Sequence, residues 1–114
     1  MALERIGRRL ILLGLLGLAT ARPAFAVEAD RERLWSALAA PGHVLLMRHA
    51  DAPGTGDPAH FRIGDCATQR NLGERGRAQA RQLGAEFRRR AIPVGMVLTS
   101  QWCRARETAE LMAI

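Results

Sequence analysis

The sequence contains no lysine and no tyrosine, and its aromatic rings are three phenylalanines and two tryptophans in 114 residues. Its positive charge is carried by 17 arginines, side chains that stay charged at any physiological pH and bind carboxylate and phosphate as a planar fork. So few rings provide no stacking platform for single-stranded nucleic acid. Long apolar runs are also missing: the longest, Leu10 to Ala21, is about a dozen residues where a bilayer-spanning helix needs roughly 20. The only cysteines are Cys66 and Cys103, and no pair of ligands stands at the close spacing of a zinc site.

What is present begins with Arg5, Arg8 and Arg9 ahead of that apolar run, followed by the small-x-small pattern Ala24-Phe25-Ala26. Residues 1–26 therefore read as a secretory signal peptide and 27–114 as the mature chain. Gly7-Arg8-Arg9-Leu10 keeps a twin-arginine route open beside general secretion. Cleavage after Ala26 removes four arginines and one glutamate and lowers the formal charge from +6 to +3, leaving 13 arginines against 10 carboxylates. This balance predicts no nucleic-acid partner, while the signal pattern and its short apolar run predict no stable membrane insertion after cleavage and a place in the bacterial periplasm or outside the cell.

The mature stretch alternates between helical and strand patterns. Asp30 can cap a helix containing Leu34, Trp35 and Leu38, with Pro41-Gly42 as its stop. His43 to Met47 is an apolar run too short for a helix, and it predicts a buried strand that delivers Arg48 and His49 to its carboxyl end. A long Gly/Pro-rich loop, Ala50 to about Arg70, follows. Asn71 and Glu74 form a capping-box pattern for a helix with Leu72, Gly76, Ala80, Leu83 and Phe87 on one face. Arg88-Arg89-Arg90 reads as its solvated end, and Pro93 as its stop. Val94 to Thr99 predicts a second strand, parallel to the first through a right-handed crossover, and Thr99 or Ser100 can cap a last helix. This expected topology brings Ser100 to Arg104 beside Arg48 and His49, at the sheet edge where ligands of α/β proteins bind.

Two guanidinium groups, an imidazole and a helix amino end together suit a phosphoryl group. The arginines match its oxygens bidentately, and a neutral imidazole can attack phosphorus and carry the group covalently.

Three ordered segments carry a family likeness. Leu46-Met47-Arg48-His49-Ala50 resembles the Arg-His-Gly signature of the histidine phosphatase superfamily. Leu72-Gly73-Glu74-Arg75-Gly76-Arg77-Ala78-Gln79-Ala80 resembles the family's Leu-Ser/Thr-x-x-Gly-x-x-Gln-Ala helix start. Ser100-Gln101-Trp102-Cys103-Arg104-Ala105-Arg106-Glu107-Thr108-Ala109 resembles its Ser-x-x-x-Arg-Ala-x-x-Thr-Ala segment. The resemblance implies a phosphoglycerate mutase-like three-layer α/β/α fold, here its strand-helix-strand-helix half. It further implies phosphomonoester hydrolysis through a phosphohistidine on His49, with Arg48 and Arg104 as phosphate-pocket arginines and no metal or cofactor. Substrates would be phosphorylated small molecules or phosphoproteins, and Arg70 is a further candidate contact.

Ala50 stands where the family most often has Gly, and Gly73 where it has a hydroxyl residue. The family's second pocket histidine and acidic proton donor are expected beyond Ile114. Neither His43, at the far end of the first strand, nor His60, in the loop, matches that histidine. The loop carboxylates Asp51, Asp57 and Asp65 read as turn-forming or solvated groups. A non-catalytic phosphate-binding module is the alternative function. An even pair of cysteines in an exported chain suggests a Cys66–Cys103 bridge, with two free thiols as the other reading.

Overall fold

The computed structural model describes residues 24–114. The expected signal peptide lies outside the described residues except for Ala24-Phe25-Ala26, which form the first turn of helix α1 (Ala24–Ala39). Two further helices follow, α2 (Glu74–Arg89) and α3 (Cys103–Met112), with a 3-10 turn at Cys66–Thr68 in the connecting loop. Among the described residues no helix is long and apolar enough to cross a membrane.

The expected α/β architecture is corrected here: among the described residues there is no strand and no sheet, only an isolated bridge between Arg62 and Asp65. Parallel strands at His43–Met47 and Val94–Thr99, and the three-layer α/β/α arrangement built on them, are therefore not seen. The physical reason is that apolar, β-favouring composition does not make a strand without a partner to complete its hydrogen-bond ladder. Both segments remain unpaired, with Val44 and Leu46 each 93% exposed and Leu98 84% exposed.

The core is instead made by α2 and α3 packing on each other and on the start of the loop. Leu72, Ala80 and Phe87 are buried together with Ala50, Ala52 and Met112, and Leu83, Ile92 and Leu111 pack at the margin. These α2 positions recur every three or four residues, which places them on one helical face. Gly84 allows the closest approach, because a Cβ there would stand 1.9 Å from the Met112 carbonyl oxygen. Arg77 of α2 donates to Glu107 of α3 at 2.6 Å, and Arg88 donates to the carbonyls of Met112 and Ala113 at 2.7 and 3.1 Å. Those carbonyls end α3, where a helix leaves acceptors unpaired and favours a cation.

The arginine run at the end of α2 is thus not simply solvated. Arg88 closes α3, while Arg90 makes a bidentate pair with Glu32 of α1, 2.7 Å for each bond, and lies 4.8 Å from the Trp35 ring centroid. Trp35 meets Phe87 edge-on at 5.3 Å. Glu86 accepts from both Arg89 and Arg90, and these hydrogen bonds draw its carboxyl down to about 2.

Helix boundaries also differ from the capping patterns. α2 begins at Glu74 with Gly73 as its N-cap and no side-chain cap: the Asn71 amide donates to the Cys66 carbonyl, while its Oδ1, the atom that would cap, is buried without a hydrogen-bond partner. Its end is set before Pro93: Ala91 adopts a left-handed φ of 49°, Ala91 N donates to Arg88 O, and Ile92 N donates to Phe87 O, each at 3.0 Å. This is a Schellman motif with alanine where glycine is usual.

Two substitutions separate these effects. Gly84→Ala should lower stability by about 1–3 kcal/mol or more, since backbone must move to admit the methyl. Ala91→Gly should raise it by up to about 1 kcal/mol by relieving the left-handed strain, less glycine's entropy cost. Urea denaturation midpoints check both.

Candidate functional site

The loop after His49 is fixed first through its backbone. Ala50 N donates to Thr108 Oγ1 of α3 at 3.0 Å, and the same hydroxyl donates to Arg104 O at 2.6 Å. Asp51 N donates to Gln79 Oε1 of α2 at 3.0 Å, and Gly73 N donates to Asp51 O at 3.2 Å. Gly76 makes this approach possible: a Cβ at that position would lie 2.0 Å from Asp51 O. Residues 50 and 51 are therefore gripped between the two helices.

This grip orients the His49 ring. Its Nδ1 lies 2.7 Å from the Ala50 carbonyl oxygen, which can only accept, so Nδ1 carries the hydrogen. A neutral ring then has its lone pair on Nε2, the tautomer a nucleophilic imidazole requires.

His49 opens onto a cleft of about 670 Å³ lined by Arg48, Asp51, Arg70, Arg75 and Gln79, with small residues Ala50, Ala52 and Gly54 in its wall. Arg48 is exposed. The Asp51 carboxylate takes two bonds from Arg75, at 2.9 and 3.2 Å, and this pairing holds its carboxyl below the usual aspartate range. Arg70 reaches back along the loop, donating through Nε to Gly56 O at 2.7 Å and through Nη1 to Ala52 O.

Arg104 stands apart from the cleft lining. It is 9% exposed, and its Nη1 donates to Asp57 Oδ1 at 3.0 Å and to Arg70 O at 3.3 Å. Its guanidinium carbon lies 4.5 Å from the Trp102 ring centroid. Asp57 Oδ1 also accepts from Arg70 N at 2.9 Å. Burial pushes the Asp57 carboxyl up, but the Arg70 amide and the Arg104 guanidinium outweigh it and leave the carboxyl below its ordinary value. Asp65 is also held low, chiefly by its bond from Arg62.

Cys66 and Cys103 form a disulfide with Cα atoms 5.6 Å apart. Beside it, Cys103 N donates to Gln69 Oε1 at 2.9 Å. Both links tie the loop to the first turn of α3. A cross-link over 37 residues contributes roughly 4 kcal/mol in the chain-entropy model. His43 is exposed and bonds Ala40 O at 3.2 Å, and His60 is exposed in the loop. Among the described residues no group of three or more His, Cys, Asp or Glu side chains could hold a metal ion.

The structure thus brings Arg48, His49 and Arg70 to one cleft, with Arg104 bonded to the Arg70 carbonyl but not part of the lining. Sequence reasoning missed Asp51, Arg75 and Gln79 as lining. A signal existed: Arg75, Ala78, Gln79 and Gln82 all line the cleft and recur at positions i, i+3, i+4 and i+7, one continuous stripe of α2 beside its buried face.

Residues 44–114 match the model of the histidine phosphatase superfamily (branch 1), and the chain belongs to that superfamily. Among curated proteins it is similar to the serine/threonine-protein phosphatase Pgam5, mitochondrial, of Drosophila virilis, with 31% identity over 70 residues covering 61% of this chain. The chain spans 22% of the length of that relative. No solved structure matches it.

The ionised carboxylates give a pH prediction with a definite sign. Asp51, Asp57 and Asp65 have folded values below their unfolded ones, so their contribution is complete above about pH 5 and is lost as pH falls through the depressed values. Urea midpoints measured from neutral to acid pH should fall in that window, and the fall should be shallower in Asp51→Asn.

Proposed function

We propose that the protein hydrolyses phosphomonoesters by nucleophilic catalysis at His49. The observation that carries this reading is the His49 ring itself, hydrogen-bonded through Nδ1 to the Ala50 carbonyl and opening into a cleft shared with Arg48 and Arg70. Nε2 attacks phosphorus, the bond to the leaving oxygen breaks, and the phosphoryl group rests on the imidazole until water takes it. Arg48 and Arg70 supply positive charge to the transferring oxygens. Membership of the superfamily supports the phosphatase class, and the serine/threonine-protein phosphatase activity of the Pgam5 relative supports phosphoserine or phosphothreonine proteins as substrates beside phosphorylated small molecules. The disulfide supports an oxidising compartment, in keeping with export to the periplasm or beyond.

The leaving oxygen needs a proton unless it is already a stable anion. Asp51, Asp57 and Asp65 are held ionised by their arginine partners and are poor donors at neutral pH. That feature favours aryl phosphates over alkyl phosphates in vitro, and it also supports the second reading, a site that binds phosphate without turning it over.

Turnover of an aryl phosphate, without added metal, by the wild-type chain and His49→Ala decides between them. Phosphatase action predicts that the variant loses activity by about three orders of magnitude or more, and that acid quenching destroys a phosphoprotein that alkali preserves. Phosphate binding with no turnover in either protein would establish the binding reading.

A further inference from the structure

The Cys66–Cys103 bridge takes no part in the proposed chemistry at His49, and its two halves sit in unequal surroundings. Cys66 is exposed on the 3-10 turn of the loop, whereas Cys103, the first residue of α3, is 6% exposed. Both line a second cleft of about 380 Å³, whose walls carry Arg77, Arg106, Glu107 and Glu110 and share no residue with the cleft at His49. That volume lies within the roughly 300–1,000 Å³ of small-molecule pockets. The charges pair off, Arg77 with Glu107 at 2.6 Å and Arg106 with Glu110 at 4.0 Å, so an incoming anion meets no net repulsion. A thiolate entering this cleft meets the exposed half of the bridge first.

Exchange there has a definite course. The thiolate attacks Cys66 Sγ, a mixed disulfide forms on Cys66, and the electron pair of the broken S–S bond leaves on Cys103 Sγ. That negative charge arises at the first residue of α3, where the amino end of a helix favours it. A second thiol then displaces the first from Cys66. The bridge has gained two electrons and two protons, and the small thiol has been oxidised to its own disulfide.

The bridge holds the loop that enters the phosphate cleft. Arg70, which lines that cleft, stands four positions beyond Cys66. Once the bridge opens, the links from this part of the loop to the start of α3 are noncovalent: Cys103 N to Gln69 Oε1 at 2.9 Å, Arg104 Nη1 to Asp57 at 3.0 Å and to Arg70 O at 3.3 Å, and the Phe61 ring on Trp102 at 5.0 Å. The helix pair keeps its own contacts, through Arg77 and Glu107, Arg88 and the Met112 carbonyl, and the apolar cluster of Ala80, Phe87 and Met112. Opening therefore loosens the loop without dismantling α2 and α3.

We propose that Cys66 is a thiol-exchange site, and that opening of its bridge by a small thiol or dithiol weakens phosphate binding in the cleft at His49. The regulatory half rests on the phosphate-site reading of that cleft; the exchange half does not.

The test begins with the oxidised full chain treated with reduced glutathione, the adduct being located by peptide mass mapping after acid quenching. It should fall on Cys66 and not on Cys103. The dissociation constant of inorganic phosphate is then measured calorimetrically on the oxidised chain, the chain reduced with dithiothreitol, and the double variant Cys66→Ser with Cys103→Ser. Reduction should weaken phosphate about tenfold, the loss expected when about one loop arrangement in ten stays competent. The double variant should bind as the reduced chain does and ignore dithiothreitol, and reoxidation of the wild type should restore the first value. Circular dichroism of the reduced wild type should show helix content unchanged.

An adduct on Cys103, or a bridge that glutathione leaves intact, would overturn the exchange site. Equal phosphate affinity in oxidised and reduced chains would overturn the regulation, and so would loss of helix on reduction, which would make the bridge a structural staple. An oxidised chain that binds no phosphate would overturn the phosphate reading and the regulatory half with it, while an adduct on Cys66 would still establish the exchange site.

Discussion

The approach of α2 to the backbone of Asp51 is the contact on which the rest of the site depends. Gly76 lets the helix come within bonding range, so Gly73 N and Gln79 Oε1 can take the carbonyl and amide of Asp51. Thr108 holds the preceding residue, Ala50, from α3. His49 adjoins this gripped pair, and its tautomer follows from the Ala50 carbonyl that the grip holds in place. Adding one methyl group at Gly76 would therefore reach the imidazole through two peptide units.

The absence of lysine becomes intelligible from the same contacts. Arg75 binds both oxygens of Asp51, Arg90 both oxygens of Glu32, and Arg88 two successive carbonyls. Each is a two-acceptor contact that a guanidinium fork makes without distortion and an ammonium point charge holds less firmly. Exposed ion pairs of this kind add little stability individually. Their value is directional, keeping α1, α2 and α3 in register where the apolar core is built largely from alanine, Leu72, Phe87 and Met112.

Legibility differed between elements for physical reasons. The buried face of α2 was readable because helical spacing repeats over four turns: Gly76, Ala80 and Phe87 are all buried, and Leu72 just ahead of the helix is buried with them. The superfamily was readable because Arg48-His49, Gly76 with Gln79, and Arg104 with Thr108 stand in fixed order. Strands at 43–47 and 94–99 were not, because apolar patterning describes a segment's preference and says nothing about whether a partner completes its ladder. Helix ends failed for a similar reason. Asn71 has the chemistry of a cap, but its amide is drawn to the Cys66 carbonyl and its Oδ1 meets no helix N–H. The ion pair of Arg104 with Asp57, 47 positions away, was not legible, because Asp57 has no local signature beyond being one of several loop carboxylates.

The unpaired segment before His49 leads to an asymmetry within the site. On one side, Ala50 and Asp51 are fixed by hydrogen bonds to two helices. On the other, Val44 to Arg48 are exposed, and Arg48 has no carboxylate beside it among the described residues. The imidazole is thus ordered by the helices that follow it and owes nothing to pairing of the segment that precedes it. Arg48 is the opposite case: its backbone and fork are free to adjust to an anion, at the entropic cost of ordering a long side chain. In the proposed reaction the phosphoryl group would thus meet one ordered side, at His49, and one adjustable side, at Arg48. The ordered side would decide where phosphorus must sit relative to Nε2, and the adjustable side would accommodate the ester attached to it.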